Sequence, residues 1–345
     1  MRSSALFGLF ITLLLAPLAA DAQVSVGESG TLSGRAYMDY YWVAANHNES
    51  LEGRNGFWFR RIYLTYDRDM AGNFSSRLRL EMDNPGNFIS NAKLEPVVKD
   101  AWLRWSSKGH QLTAGISSPP TLALVEDVWG YRAVEKTAVD LHGMGASRDF
   151  GLSAKGTLGE EGRFSYHAMV GNGVSNRTEV DRGKKAMLSL SYELTPELVV
   201  EVYGDYNDFA GDRYWTTLQA FAGYQGESFQ AGAHFTRQYR RGATSGENLE
   251  IKLVSVFARG DFSDRVTGLV RVDRLFNPNP AGENTSYLPY SNMASPTVLI
   301  GGLDVRLEED IHLIPNFEAV FYSENDQEVQ PDSDFIPRLT LYYRF

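Results

Sequence analysis

Four arginines stand at alternating positions in three consecutive segments: Arg61 in 57–67, Arg77 and Arg79 in 74–83, and Arg104 in 97–106. The segment Phe74-Ser75-Ser76-Arg77-Leu78-Arg79-Leu80-Glu81-Met82-Asp83 shows the pattern best. One face is Phe, Ser, Leu, Leu, Met; the other is Ser, Arg, Arg, Glu, Asp. If these segments are paired strands, under about 5 Å apart, the guanidiniums form one basic strip. Such a strip attracts anions and orients polar solutes. A following stretch, 118–146, holds Arg132 and Lys136 against Glu126, Asp127, Glu135 and Asp140. Glu126 and Asp127 facing the strip would set up a transverse field. The simpler reading pairs each arginine with a neighbouring acid such as Glu81, Asp83 or Asp100. Arg61 shares its face with Phe59 and Tyr63 and is the least regular member.

Catalytic chemistry finds little support. His47, His110, His142, His167, His234 and His312 show no i,i+2 or i,i+4 spacing, so a histidine metal site is not indicated. The chain has no Gly-x-Ser-x-Gly elbow and no phosphate-cradling glycine loop. No cofactor is expected. The acidic run Glu324-Asn325-Asp326-Gln327-Glu328, with Asp332 and Asp334, reads as a solvated loop, with a divalent cation as the alternative. The chain has no cysteine, which excludes a disulfide framework and cysteine ligation. A formal net charge of −10 argues against a nucleic-acid partner.

The elements that would hold the arginines are short and alternating, with the strand period of two. About sixteen are expected: 31–43, 57–67, 74–83, 97–106, 110–117, 147–156, 163–171, 184–194, 198–206, 213–224, 228–239, 249–260, 265–275, 297–307, 312–322 and 335–345. Connections alternate long and short. The short ones carry turn chemistry, as in Ala71-Gly72-Asn73 and Thr195-Pro196-Glu197. The long ones, such as 46–55 and 277–295, are polar and rich in Gly, Asn and Pro. Segment 249–260 is ambiguous, because Leu253-Val254 and Val256-Phe257 break its alternation. Residues 1–22 read as a signal peptide: Arg2, an apolar run from Ala5 to Leu18, then Ala20-Asp21-Ala22. No later run is long and apolar enough for a membrane helix.

An exported chain of many alternating strands is expected to be an all-β transmembrane antiparallel barrel over 23–345. Aromatic residues cluster at segment ends (Tyr40-Tyr41-Trp42, Phe57-Trp58-Phe59, Tyr63, Tyr66, Trp102, Trp105, Tyr192, Tyr206, Tyr214, Phe321-Tyr322, Tyr342-Tyr343) and are expected to form interfacial belts. The last strand ends on Phe345, as barrel-assembly signals do. Inward Lys155, Lys185, Arg271, Arg306, Arg338 and Arg344 are balanced by Glu193, Glu201, Asp205, Asp273, Asp304 and Glu318, which suits a hydrated interior. The candidate pore-lining set is Arg61, Arg77, Arg79, Arg104, Arg132, Lys136, Glu126 and Asp127.

Several stretches resemble the phosphate-selective porin O and P family of outer-membrane channels. They are 59–66 running into 74–83, then Lys99-Asp100-Ala101-Trp102-Leu103-Arg104-Trp105, Thr113-Ala114-Gly115-Ile116-Ser117-Ser118-Pro119-Pro120, Ser147-Arg148-Asp149-Phe150-Gly151-Leu152-Ser153 and Ile314-Pro315-Asn316-Phe317-Glu318. The resemblance covers most of the chain in outline. It implies a sixteen-stranded bacterial outer-membrane barrel, often a homotrimer, with an inward-folded third extracellular loop that narrows the pore. The mixed charge of 118–146 departs from the basic funnel of phosphate-selecting members. The expected function is passive diffusion of small polar solutes or ions through a water-filled channel, with anions such as phosphate among the candidates and membrane lipid and lipopolysaccharide as surroundings. The alternatives are a barrel-embedded lipid-modifying enzyme, a plugged structural or adhesive barrel, and, at the level of fold, a soluble secreted sandwich.

Overall fold

A computed structural model describes residues 23–243, 246–325 and 327–345. The expected signal peptide, 1–22, lies outside the described residues. The strands are β1 Gln23–Val26, β2 Gly30–Trp42, β3 Asn55–Met70, β4 Phe74–Asp83, β5 Glu95–Ser107, β6 His110–Ser117, β7 Asp149–Leu158, β8 Phe164–Gly171, β9 Lys185–Glu193, β10 Leu198–Phe209, β11 Arg213–Gln225, β12 Phe229–Arg241, β13 Leu249–Ser263, β14 Val266–Leu275, β15 Pro296–Glu308, β16 Ile311–Tyr322 and β17 Asp334–Arg344. Two short helices, α1 Ala123–Trp129 and α2 Ala138–Leu141, lie in the third long connection.

Strands β2 to β17 pair antiparallel in chain order, and β17 returns to pair with β2. Sixteen strands thus close a cylinder with no free edge. The additional β1, not anticipated from sequence, pairs with β2 at 30–33. It occupies the edge that β17 uses further along. The junction is sealed by Gly34 and Phe345, whose backbones exchange hydrogen bonds of 2.6 and 3.0 Å.

The direction of the alternation decides between barrel and sandwich. Along β12, Phe235 is 44% exposed while Thr236 beside it is 0%. On β11, Leu218 is 60% exposed and Gln219 4%. The apolar face is the outer one and the polar face is enclosed. A soluble sandwich inverts this arrangement, and is excluded. The aromatic end clusters split by the same rule. Tyr40, Trp42, Phe57, Trp105, Tyr192, Tyr206 and Phe321 are exposed on the outside, whereas Trp58, Tyr63 and Tyr322 are buried on the inside. Adjacent residues of a strand cannot share a face, so the expected belt keeps about half its members.

The ambiguous strand is also resolved. On β13, Val254, Val256 and Ala258 face outward, while Ile251, Leu253 and Phe257 are buried inward. Both faces are apolar because both are covered, the inner one by protein. Leu122, Ala138, Val139 and Met144 of the third connection pack on Ile251, Leu253 and Leu275. The long connection after β14, expected to be a polar loop, is buried in part. Tyr287, Leu288 and Tyr290 are at most 1% exposed and join Trp129, Val128 and Phe88 in one cluster.

Candidate pore constriction

The candidate site is built on β2 to β7 and on the third connection. Register breaks on β3 and β5 each turn two adjacent charged residues to the polar face. On β3, Tyr37 pairs with Arg61 but Met38 pairs with Phe59, so Arg60 is an extra, bulged residue. Arg60 and Arg61 are consequently both buried, at 4% and 9% exposure. On β5, the register slips between Arg79–Asp100 and Leu80–Val98, which makes Lys99 the extra residue. A bulge bends a strand and re-aims its side chains. Strict alternation assigns Arg60 to the outer face, which is why the sequence reading missed it. The consecutive charges Arg60-Arg61 between apolar residues were the available signal.

Arg60 is the principal polar tie between the wall and the third connection. Its guanidinium donates to the Val134 carbonyl and the Glu135 carboxylate, and it lies 4.6 Å from the centre of the Tyr287 ring. Asp39 is 3.6 Å away. Burial alone would raise the Glu135 carboxyl. Arg60, Lys136 and Arg338 overcome that and hold it well below the usual carboxylate range. Asp140 is likewise driven upward by burial and brought below its ordinary value by Arg132 and Lys136.

The connection is fastened on the far wall as well. Gln238 Nε2 donates to the Met144 carbonyl at 2.7 Å, and Arg240 Nη2 to the Gly143 carbonyl at 2.9 Å. The Thr121 hydroxyl donates to Tyr203 Oη at 2.7 Å. Arg271 donates to the Lys136 carbonyl. His142 is fully buried, with Nδ1 2.8 Å from Tyr290 Oη and Nε2 3.3 Å from Asp273. Burial lowers the pKa of His142, and Asp273 only partly offsets this.

The eight sequence candidates separate into two groups. Arg61 pairs with Glu81 at 3.0 Å, Arg77 with Asp67 at 2.6 Å and Arg79 with Asp100 at 3.2 Å. Arg104 donates to Thr113 Oγ1 at 3.1 Å and lies 4.2 Å from the Trp102 ring centre. Among the described residues, Arg104 has no carboxylate within 4 Å. The basic strip is therefore neutralised over most of its length. Arg132 pairs with Glu126 at 3.4 Å and Asp140 at 3.2 Å on its own segment. Asp127 is exposed, and Lys136 uses its backbone to bind Glu135.

Glu126, Asp127 and Arg132 border a cavity of about 530 Å³. Its other charged lining residues are Arg35, Arg148, Arg259, Asp304 and His312. Arg148 pairs with Asp100, and His312 Nδ1 lies 2.8 Å from Asp304. Sequence reasoning did not select Arg35 or Arg259, because nothing local shows that 118–146 approaches them, and it left out Arg148, two residues beyond that segment. Four of the charges expected to lie in water do not. Arg271 with Asp273, and Arg338 with Glu318, are ion pairs whose side chains are at most 1% exposed beneath the connections.

At the long-connection end, His47 lies between two acids. Its Nδ1 is 2.8 Å from Asp334 and its Nε2 is 3.2 Å from Glu283. Burial alone would lower its pKa, but the two carboxylates raise it above the ordinary histidine value. Among the described residues, no serine hydroxyl lies within hydrogen-bond distance of a histidine.

No protein-family profile and no curated protein sequence matches the chain. Solved structures do match in fold. An anion-selective porin from Comamonas acidovorans aligns over 92% of this chain and 99% of its own, with TM-score 0.69 and 12% identity. The outer membrane channel DcaP of Acinetobacter baumannii aligns over 93% and 99%, with TM-score 0.62 and 10% identity. OmpT of Vibrio cholerae, an outer membrane protein in a trimer form, aligns over 92% and 100%, with TM-score 0.58 and 10% identity. At such identities the likeness is one of fold.

Proposed function

We propose that the chain is a bacterial outer-membrane porin that passes small polar solutes by passive diffusion. One observation carries the reading: an apolar outer face and an enclosed polar face run around a sealed sixteen-strand cylinder. An outer apolar face suits lipid, and an enclosed polar face suits water in the lumen. The third connection, 118–146, is folded into the lumen and narrows it. Its bonds to inward side chains of β3, β10, β12 and β14 support this.

Within this reading, the constriction is the cavity bounded by Arg35, Glu126, Asp127, Arg132, Arg148, Arg259 and Asp304. Arg35 and Arg259 have no carboxylate within 4 Å among the described residues, and Arg104 stands on the neighbouring wall. We infer a modest preference for small anions. The crowding of arginine and lysine that strong phosphate selection requires is not what lines this cavity. The outer-membrane barrels described above include a trimer form, which supports a homotrimer here; light scattering on detergent-solubilised protein tests it. Residues 1–22 are assigned as the export signal.

Planar-bilayer recording tests the function. The expected result is steady conductance with a reversal potential displaced toward anions in a salt gradient. A silent bilayer overturns the channel. One observation favours that second reading, a barrel plugged by its own connections: Trp129, Tyr287, Leu288 and Tyr290 form a dry cluster between the third and seventh connections.

A further inference from the structure

On the turn side of the constriction, the lumen holds three charged side chains without an opposite charge within 4 Å among the described residues: Arg104, Lys155 and Asp127. Arg104 on β5, Thr113 on β6 and Ser153 on β7 are successive register partners, as are Gln111, Lys155 and His167 on β6, β7 and β8. Register partners share a face. Leu103, Leu112 and Leu152 beside them are exposed on the outside, so both rows look into the lumen. Arg104 is held in place. Its Nε donates to Thr113 Oγ1 at 3.1 Å, and its guanidinium lies 4.2 Å from the ring centre of Trp102, which Arg77 approaches at 5.5 Å. Its two Nη groups make no hydrogen bond among the described residues, and such an edge fits a planar carboxylate. Lys155 is exposed in the lumen. It stands two strands away, roughly 10 Å along the wall, on a flexible stem.

The carboxylate comes from the third connection. Val125, Val128 and Trp129 of α1 are buried against β11 to β13. Helical periodicity turns Asp127 to the opposite face, where it is exposed and borders the cavity. Lys155 lies within the field of both Asp127 and Arg104. The charges next to this trio are already paired, Arg77 with Asp67 and Arg132 with Glu126. Two cations and one anion are complemented by a solute with two anionic groups and one cationic group. A plain dicarboxylate would leave Asp127 facing like charge, and a neutral zwitterion would leave one cation unmet. We propose that this part of the lumen is a binding site for an acidic α-amino acid, with its carboxylates on Arg104 and Lys155 and its ammonium on Asp127. The proposal rests on the porin reading for the solute's access through the lumen.

The test is saturation-transfer NMR of glutamate, glutarate and glutamine with the detergent-solubilised protein, alongside block of single-channel current by the same solutes. Glutarate lacks the ammonium, and glutamine lacks the second carboxylate. Glutamate is expected to bind tightest, and each of the others about tenfold more weakly. Asp127→Asn should erase the preference for glutamate over glutarate, and Lys155→Gln the preference over glutamine. Arg104→Gln should weaken all three by about tenfold. Heat-modifiable mobility checks that each variant is folded. Glutarate binding to the wild type as tightly as glutamate, or more tightly, reduces the site to general attraction of anions and overturns it without any variant. An undiminished preference for glutamate over glutarate in Asp127→Asn overturns it as well. A silent barrel that still prefers glutamate in the NMR experiment refutes the channel and leaves this site standing; steady conductance without that preference does the reverse.

Discussion

The two walls of the barrel use one alternation for opposite ends. On β3 to β7 the inward side chains are charged and partly hydrated: Arg77, Arg79, Lys99, Arg104 and Arg148 are half-buried. On β12 to β17 the inward face is largely dry. Leu253, Leu275, Val298, Ile300, Val320 and Ile336 are each 0% exposed because connections cover them. An inward position in a barrel is therefore not by itself a wet one. What the chain folds over that position decides its chemistry.

The comparison breaks most easily at Arg60. Arg60→Ala removes the counter-charge from Glu135, and leaving a buried charge unpaired costs about 3–5 kcal/mol. The expected result is release of 118–146, read as larger single-channel conductance and faster proteolysis of that segment. Unchanged conductance would mean that the connection does not limit the pore.

The dry wall is sharpened by a pair of neighbours on β13. Leu253→Ala, beneath the connection, should cost about 2–5 kcal/mol. Val254→Ala, on the lipid face, should cost about 1 kcal/mol or less, because lipid refills the space. Urea unfolding in lipid vesicles measures both. Equal costs would contradict the claim that protein covers the inner face.

On the wet wall, Arg104→Ala should move the reversal potential toward cations without changing stability. Removing the whole Arg77–Asp67 pair, as Arg77→Ala with Asp67→Asn, should move it less, since the pair carries no net charge. The reverse order would place the selective charge farther from the turn end of the wall, since Arg104 pairs with Ser75 and Arg77 with Trp102.

The smallest effects concern pH, and the two regions should respond in opposite directions. The folded pKa of His47 is raised, so its latch to Asp334 and Glu283 is complete below the unfolded value of about 6.5. It is lost as pH rises through the folded value. The folded pKa of His142 is lowered, so the stability it lends is present above about 6.5 and lost as pH falls. Glu135 and Asp140, both lowered, add losses only in stronger acid. Hydrogen exchange should show 43–54 loosening in alkali and 138–146 loosening in acid. His47→Gln should abolish only the first response.

Much of the wall was legible in the sequence. The strands Phe74–Asp83 and His110–Ser117 fall on their expected bounds, and the others within a few residues. A period-two pattern with turn residues between segments leaves little freedom. The short β1 escaped because four residues are too few to establish a period. The constriction was legible only in part. Glu126, Asp127 and Arg132 line the cavity, but Arg35 and Arg259 come from strands remote in the chain, β2 and β13, while Arg148 stands just before β7. The broken alternation at Leu253-Val254 was visible as an irregularity, and its meaning was not.

By itself the sequence determined which side chains can share a face, because the pleat sends neighbours to opposite sides. Tertiary structure decided which inward faces stay wet, which arginines are neutralised, and where a bulge turns Arg60 inward beside Arg61. Those outcomes depend on long-range closure and on where a connection comes to rest. Neither is encoded in the spacing of adjacent residues.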